Sequence, residues 1–449
     1  MQINRPLAAF AAATVLAGFA GLTSAPAHAA SPYDPQPAKT GAGWLSDQVT
    51  DGLVHNDQFK FDDVGLSIDV ALGLEAAGKK PTVVNAITKA VAKNVTSYTS
   101  FGDSVFAGAL AKATVLALVA DKDPKSFGGV NLVALLEDRV ASAAPVTGRI
   151  EDAYDPTNPK SGDYANVIGQ AYAASALSQA KSPKASSAAS FLIQQQCAKG
   201  YFRLSFSADK TDADQTCDGA AKAERSPDTD ATAIAVLALQ HVKGSAAKTA
   251  FKKAVAWLVD EQAANGSFGG GTSTETANTN STGLAGWALA AAGMTKQAGK
   301  AAVWVRTFQV ASVSPCSGSL AKQVGAIAYD LPGYEAGWKK GITKDASDQW
   351  RRASAQALPV LQWAPRADGP LTATAPAAVP AGTTFKITLG GVAPGQRVCV
   401  ARSGQAFEYV PGRNALSKVT VPAQGSAGVR TYKVYAGSQR HDVTVQVTN

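Results

Sequence analysis

The hydrophobic positions along the chain fall into two alternating textures. Segments such as NLVALLEDRVASA (131–143) and AAKTAFKKAVAWLVDEQ (246–262) carry apolar residues three and four apart with charges between them. That spacing predicts amphipathic helices with one buried face. Between them lie segments such as DATAIAVLAL (230–239), apolar on most sides and rich in Ala, which predicts helices buried all round. The first kind starts near Trp44, Val84, Asn131, Ser182, Ala246 and Gln297, the second near Asp63, Gly102, Asp163, Pro227, Asn280 and Asp345. Six of each in alternation predict an outer and an inner ring of helices, a mainly α protein built as an α6/α6 toroid. An open solenoid of helix pairs is the alternative arrangement of such repeats.

After Trp363 the texture changes. APRADGPLTATAPAAVPAG is rich in Pro, Gly and Ala, and short runs follow that favour Val, Thr and Tyr, among them TTFKITLGG, QRVCVAR and GVRTYKVYAG. These predict a small antiparallel β-sandwich of immunoglobulin-like type. The expected domains are a signal peptide over 1–29, the toroid over 30–365 and the β-sandwich over 366–449. The first segment has one basic residue, Arg5, before an apolar stretch from about Leu7 to Leu22, and Ala27-His28-Ala29 has the form of a cleavage site. The expectation is an exported chain with no integral membrane segment, extracellular and able to associate with the cell wall.

Export changes the reading of the four cysteines, which in an oxidising compartment form disulfides. Cys197 and Cys217 flank one polar loop and are paired on that ground, leaving Cys316 and Cys399 to tie the end of the helical region to the C-terminal region. Four cysteines allow three pairings. No C-x-x-C occurs, so no metal site is expected, and Asp212, Asp214 and Asp218 lack the spacing of an EF-hand loop. No phosphate-cradling loop or dinucleotide fingerprint is present, so no cofactor is expected. The formal net charge is +8, and the segment from Arg366 holds nine Lys/Arg against three Asp/Glu. A basic β-domain suggests an anionic cell-wall polymer as partner. The basic residues alternate along strands without a basic–aromatic face, which argues against nucleic acid.

Internal similarity sharpens the toroid. DATAIAVLAL (230–239), NSTGLAGWAL (280–289) and DVGLSIDVAL (63–72) align without gaps, with Asp230, Asn280 and Asp63 in one column. The ending QAANGSFGG (262–270) offers Gln262, Gly266 and Phe268, and QCAKGYF offers Gln196, Gly200 and Phe202. This Gln then Gly-x-aromatic pattern resembles the repeat shared by terpenoid cyclases and protein prenyltransferases, over most of residues 40–365. The resemblance implies the toroid; it does not imply one activity, because that fold serves cyclases, zinc prenyltransferases, thioester domains and vitamin B12 carriers.

Within SPDTDATAIAVLALQ (226–240), Asp228, Asp230, Thr232 and Ala233 are similar to the D-x-D-D-T-A motif of squalene-hopene-type cyclases. The resemblance implies Asp230 as the proton donor, assisted by Asp228. Ala231 stands where the motif has its last Asp. On local grounds the same stretch predicts a helix start, with Ser226 as N-cap and Pro227 in the first turn.

Loops 149–163, 198–219 and 266–281 precede inner helices, whose N-termini gather at one end of a toroid. They and the helix starts bring together Tyr154, Tyr201, Phe202, Phe268 and Trp287 to stack on a ligand, with Asp163 and Asn280 to hydrogen-bond it. The function expected is non-catalytic binding of a small or lipidic molecule. A divergent cyclase using Asp230 and a structural envelope protein without ligand are the alternatives.

Overall fold

Single side chains set where four of the inner helices begin. Asp63, Asn166, Asp228 and Asn278 each accept a hydrogen bond from the backbone N–H three residues on, satisfying one of the orphan donors of a first turn. The computed structural model describes residues 31–158, 162–272, 274–412 and 414–449, so the expected signal peptide lies outside the described residues. Residues from Tyr33 to Asn449 belong to one unit. Among the described residues the helices are α1 (Gln36–Ser46), α2 (Val64–Ala76), α3 (Pro81–Thr99), α4 (Ala107–Val119), α5 (Leu132–Glu137), α6 (Val167–Gln179), α7 (Ala185–Gln194), α8 (Thr229–Leu239), α9 (Ser245–Glu261), α10 (Thr279–Ala291), α11 (Thr295–Arg306), α12 (Leu331–Lys340) and α13 (Lys344–Ala357).

Helices α2, α4, α6, α8, α10 and α13 pack each on the next, and α13 returns to α2. Outside this ring α3 lies on α2 and α4, α5 on α4 and α6, α7 on α6, α9 on α8 and α10, α11 on α10, and α1 on α13. Small residues let the ring helices approach closely: a Cβ added at Gly73 would lie 2.4 Å from the carbonyl oxygen of Ala355. One hydrophobic core runs through all of these elements.

Several boundaries differ from the sequence reading. Trp44 lies in the last turns of α1, which starts at Gln36 behind Pro35. The pattern over 131–143 gives a helix of only six residues, because Val140 leaves it to bridge Ile150. The strands β1 (Val49–Thr50), β2 (Leu53–Asn56) and β3 (Phe61–Asp63) lead into α2, which starts where expected at its cap Asp63, whereas the short hairpin of β4 (Ser100–Phe101) and β5 (Ser104–Val105) delays the start of α4 from Gly102 to Ala107. The N-cap of α8 is Asp228, not Ser226, and Pro227 precedes the helix. The repeat column also shifts: Asp63 is a cap and therefore matches Asp228 and Asn278, two residues before Asp230 and Asn280.

The Gly-x-aromatic repeat has a physical role. Gly266, at φ 93°, passes so close to α11 that an added Cβ would lie 2.3 Å from the Lys300 carbonyl oxygen. Gln262 Nε2 bridges the same two segments, donating to the carbonyls of Gly266 (3.1 Å) and Gln297 (3.0 Å). Gln196 does the same for Gly200 and Ala250, both at 2.8 Å. Two residues after the glycine, the backbone N–H of Phe202 or Phe268 donates to the Thr232 or Thr282 hydroxyl of the inner helix, at 2.9 Å. Three further copies lack the aromatic residue: Val54, Ile150 and Ile327 donate to Ser67, Gln170 and Ser354. The copy at Gly325 presses on the Thr40 carbonyl of α1, and Gln309 Nε2 donates to Pro37 (2.9 Å) and Gly325 (3.3 Å). The end of the helical region is thereby stitched to its beginning.

The C-terminal strands are β6 (Thr372–Thr374), β7 (Ala378–Pro380), β8 (Thr384–Gly390), β9 (Val398–Arg402), β10 (Gln405–Tyr409), β11 (Lys418–Pro422), β12 (Gly428–Ala436) and β13 (Gln439–Thr448). They form a five-stranded sheet in the order β10-β9-β12-β13-β7 and a three-stranded sheet in the order β11-β8-β6. All neighbours are antiparallel except β13 and β7. Alternation in β8, such as buried Phe385, Ile387 and Leu389 with exposed residues between, gives the sheets one shared core, separate from that of the helices. The cysteines pair as Cys197–Cys217 and Cys316–Cys399, the second joining the helical region to β9. Beside it the Arg397 guanidinium stacks 3.7 Å from the Tyr334 ring and pairs with Glu408. Arg397 is therefore committed to this junction and does not contribute a free charge to the basic β region.

Candidate functional site

A cavity of about 640 Å³ lies between the ring helices, all six of which contribute to its lining, and it is partly open to solvent. Its walls are chiefly apolar, from Leu72 and Ala76 of α2, Val115 of α4, Ile234 and Leu237 of α8 and Leu284 of α10. Asp230 and Trp287 also face it. The size and the apolar lining suit a small or lipidic molecule.

Position in a helix separates the two acids of DTDATA. Asp228 spends one carboxylate oxygen on the N–H of Ala231 (2.8 Å), and its carbonyl accepts from the Thr232 hydroxyl (2.7 Å). Burial pushes its carboxyl above the usual range, and the Ala231 and Asp230 amides partly offset this. Asp230, two residues on, turns to the cavity, and its Oδ1 has no hydrogen-bond partner among the described residues. Burial pushes its pKa up to about 6, with Asp228 adding to the effect. The Ser281 hydroxyl is near enough to ease the ionised form, but neither its Oγ nor Asp230 Oδ1 completes a hydrogen bond.

This raised pKa fixes a pH dependence. The folded chain holds the Asp230 proton more tightly than the unfolded chain, so stability is greatest below the unfolded value near 4 and falls as pH rises through about 6. Allowing for partial exposure, the loss is about 1–2 kcal/mol. Urea denaturation of Asp230→Asn is expected to lack that step while wild type shows it.

A second polar group in the cavity has no counterpart in the sequence reading. Lys112 of α4 pairs with Asp69 of α2 at 2.7 Å and donates to the Gly65 carbonyl at 3.0 Å. Burial acts to lower its pKa, but Asp69 prevails and holds the ammonium above its ordinary range. Tyr98 of α3 and Tyr172 of α6 line the same wall, and burial raises both phenols. The signal was a lone Lys within AGALAKATVLALV and a lone Asp within VGLSIDVALG, charges in helices otherwise apolar all round.

The other candidate residues are not gathered at the cavity. Phe202 and Phe268 are in the hydrophobic core, Phe202 wholly and Phe268 2 % exposed, so neither ring is open to stack on a ligand. Tyr201 packs on Trp257 beside the Cys197–Cys217 disulfide and donates its hydroxyl to the Arg225 carbonyl (2.7 Å). Asp163 is held by Arg149 (3.1 Å) and Lys210 (2.8 Å), which fixes the loop before α6. Tyr154 is exposed on that loop. Asn280 has a buried Oδ1 without a partner among the described residues but does not line the cavity. Asp212 and Asp214 cap turns of their own loop, and Asp218 accepts from the Ala198 N–H (2.9 Å).

No protein-family model and no curated protein matches the sequence. Solved structures do. The type II terpene cyclase MstE from Scytonema is 14% identical, covers 72% of this chain and 96% of its own, and superposes with a TM-score of 0.50. The fold is terpenoid-cyclase-like, an α/α toroid. A substituted MstE in complex with geranylgeranyl dihydroxybenzoate is 13% identical over 73% of this chain and 96% of its own, again with a TM-score of 0.50. A protein from Actinoplanes is 18% identical over 74% of this chain and 99% of its own, with a TM-score of 0.49. At such identities the likeness to the cyclases is one of fold.

Proposed function

We propose that the protein is an exported toroid of six helix pairs with an immunoglobulin-like β-sandwich, and that its axial cavity binds a small or lipidic molecule without converting it. The observation that carries this reading is the cavity itself, about 640 Å³ with chiefly apolar walls. Binding of the apolar fluorophore 1-aminoanthracene tests it. One molecule per chain is expected, and Leu237→Trp, which narrows the cavity, should weaken binding by roughly tenfold or more with the circular dichroism unchanged. Undiminished binding in that variant would place the fluorophore elsewhere. The basic β-domain would assist association with an anionic cell-wall polymer, through exposed side chains such as Lys386, Lys418 and Lys433.

A second reading, a cyclase with Asp230 as acid, is favoured by the raised pKa of a carboxyl facing the cavity. Two features weigh against it. An acid with a pKa of about 6 is weak for protonating an alkene, and Asp230 Oδ1 lacks the donor that would strengthen it. The motif's last Asp is Ala231, fully buried. Asp230→Asn separates the readings: a conversion lost with the fold intact would establish the enzyme.

A further inference from the structure

Four helices bring four polar side chains to one wall of the cavity. Lys112 comes from α4, Asp69 from α2, Tyr98 from the end of α3 and Tyr172 from α6. The ammonium has three N–H donors and spends two, on Asp69 and on the Gly65 carbonyl. Neither phenol has a hydrogen-bond partner among the described residues, and the Asp69 oxygen that does not face Lys112 has none either. Tyr98 is seated against Gly65, where an added Cβ would meet its ring at 3.4 Å. Donors and an acceptor therefore converge on a cavity whose remaining walls are chiefly apolar.

The charges narrow what can dock there. Among the described residues Lys112 is the one Lys or Arg lining the cavity, against Asp69, Glu75 and Asp230. His241 also lines it, and burial pushes its imidazole down, toward the neutral form. Behind Asp69, Arg352 is already paired with Asp63 and Asp348. A carboxylate or phosphate head would enter a cavity whose lining already holds more acids than bases, and a cationic head would sit beside the Lys112 ammonium. We propose that Lys112, Asp69, Tyr98 and Tyr172 form a head-group subsite that selects an apolar molecule carrying one uncharged polar head, an alcohol, ketone or amide. The head would accept from a phenol or the free ammonium N–H and, if it has a proton to give, donate to Asp69.

This inference rests on the cavity being a binding site, and the test separates the two. The mature protein is titrated calorimetrically with 1-dodecanol, dodecanoate and dodecylammonium, which share one tail. Dodecanol is expected to bind at least about tenfold more tightly than either ion. Tyr98→Phe and Tyr172→Phe keep the shape of the wall and should each weaken dodecanol by about two- to tenfold. Lys112→Met alone would strand Asp69, so the pair is removed together: Lys112→Met with Asp69→Leu should fold and lose the preference among heads. Equal affinity for all three heads, tighter binding of either ion, or unchanged dodecanol affinity in both Phe variants would overturn the subsite and leave the cavity reading standing. No binding of any dodecyl probe would overturn both.

Discussion

Gly325→Ala is expected to cost about 2–5 kcal/mol. Two effects combine. At φ 102° an alanine pays about 1–2 kcal/mol for left-handed backbone. Its Cβ would also lie 2.1 Å from the Thr40 carbonyl oxygen and 2.9 Å from Trp44 Cβ, an overlap that costs a further 1–3 kcal/mol or so to relieve. The overlap falls on the contact by which the last glycine loop reaches α1, so the ring must open or α1 must move. Gly293→Ala is the control: its φ is 81°, but nothing lies within 4 Å of an added Cβ. It should show the backbone cost alone, about 1–2 kcal/mol. Urea midpoints at constant m-value measure both.

Removing the Cys316–Cys399 disulfide, as the double Ser variant, is expected to cost about 2–4 kcal/mol. It closes a loop of sequence separation 83, for which chain entropy alone gives roughly 4.5 kcal/mol, an upper figure given how such bonds perform in practice. Cys197–Cys217, with a separation of 20, should cost about 1 kcal/mol less. The two also differ in place. Cys316–Cys399 joins the helical region to β9 beside the Arg397–Tyr334 stack, so its loss should lower the transition of the β region first in calorimetry. Equal losses from both variants would contradict the loop-length argument.

The alternation of amphipathic and all-apolar helices was legible because burial on one side or on all sides writes itself into periodicity. The disulfide pairing was also legible, from the loop between Cys197 and Cys217. Helix starts were less so: a polar residue near a start, such as Ser226 or Asp163, looks like a cap until the backbone shows that Asp228 or Asn166 takes the bond. The repeat was visible in two copies and hidden in three, because what the fold needs two residues after the glycine is an N–H and an apolar side chain. Val54, Ile150 and Ile327 meet that need as well as Phe does. The same need misled the site reading, since Phe202 and Phe268 serve the core. Lys112 and Asp69 were passed over because each is a single charge in an apolar helix, and their pairing joins residues 43 apart in sequence across two inner helices.

Occupation of the cavity in use is tested most directly by native mass spectrometry of the protein purified from its own source. Organic extraction of whatever is bound completes it. The expected result is one apolar molecule per chain, carrying an uncharged polar head and unchanged on incubation with the protein. An empty, monodisperse protein whose melting temperature no apolar probe shifts would contradict it.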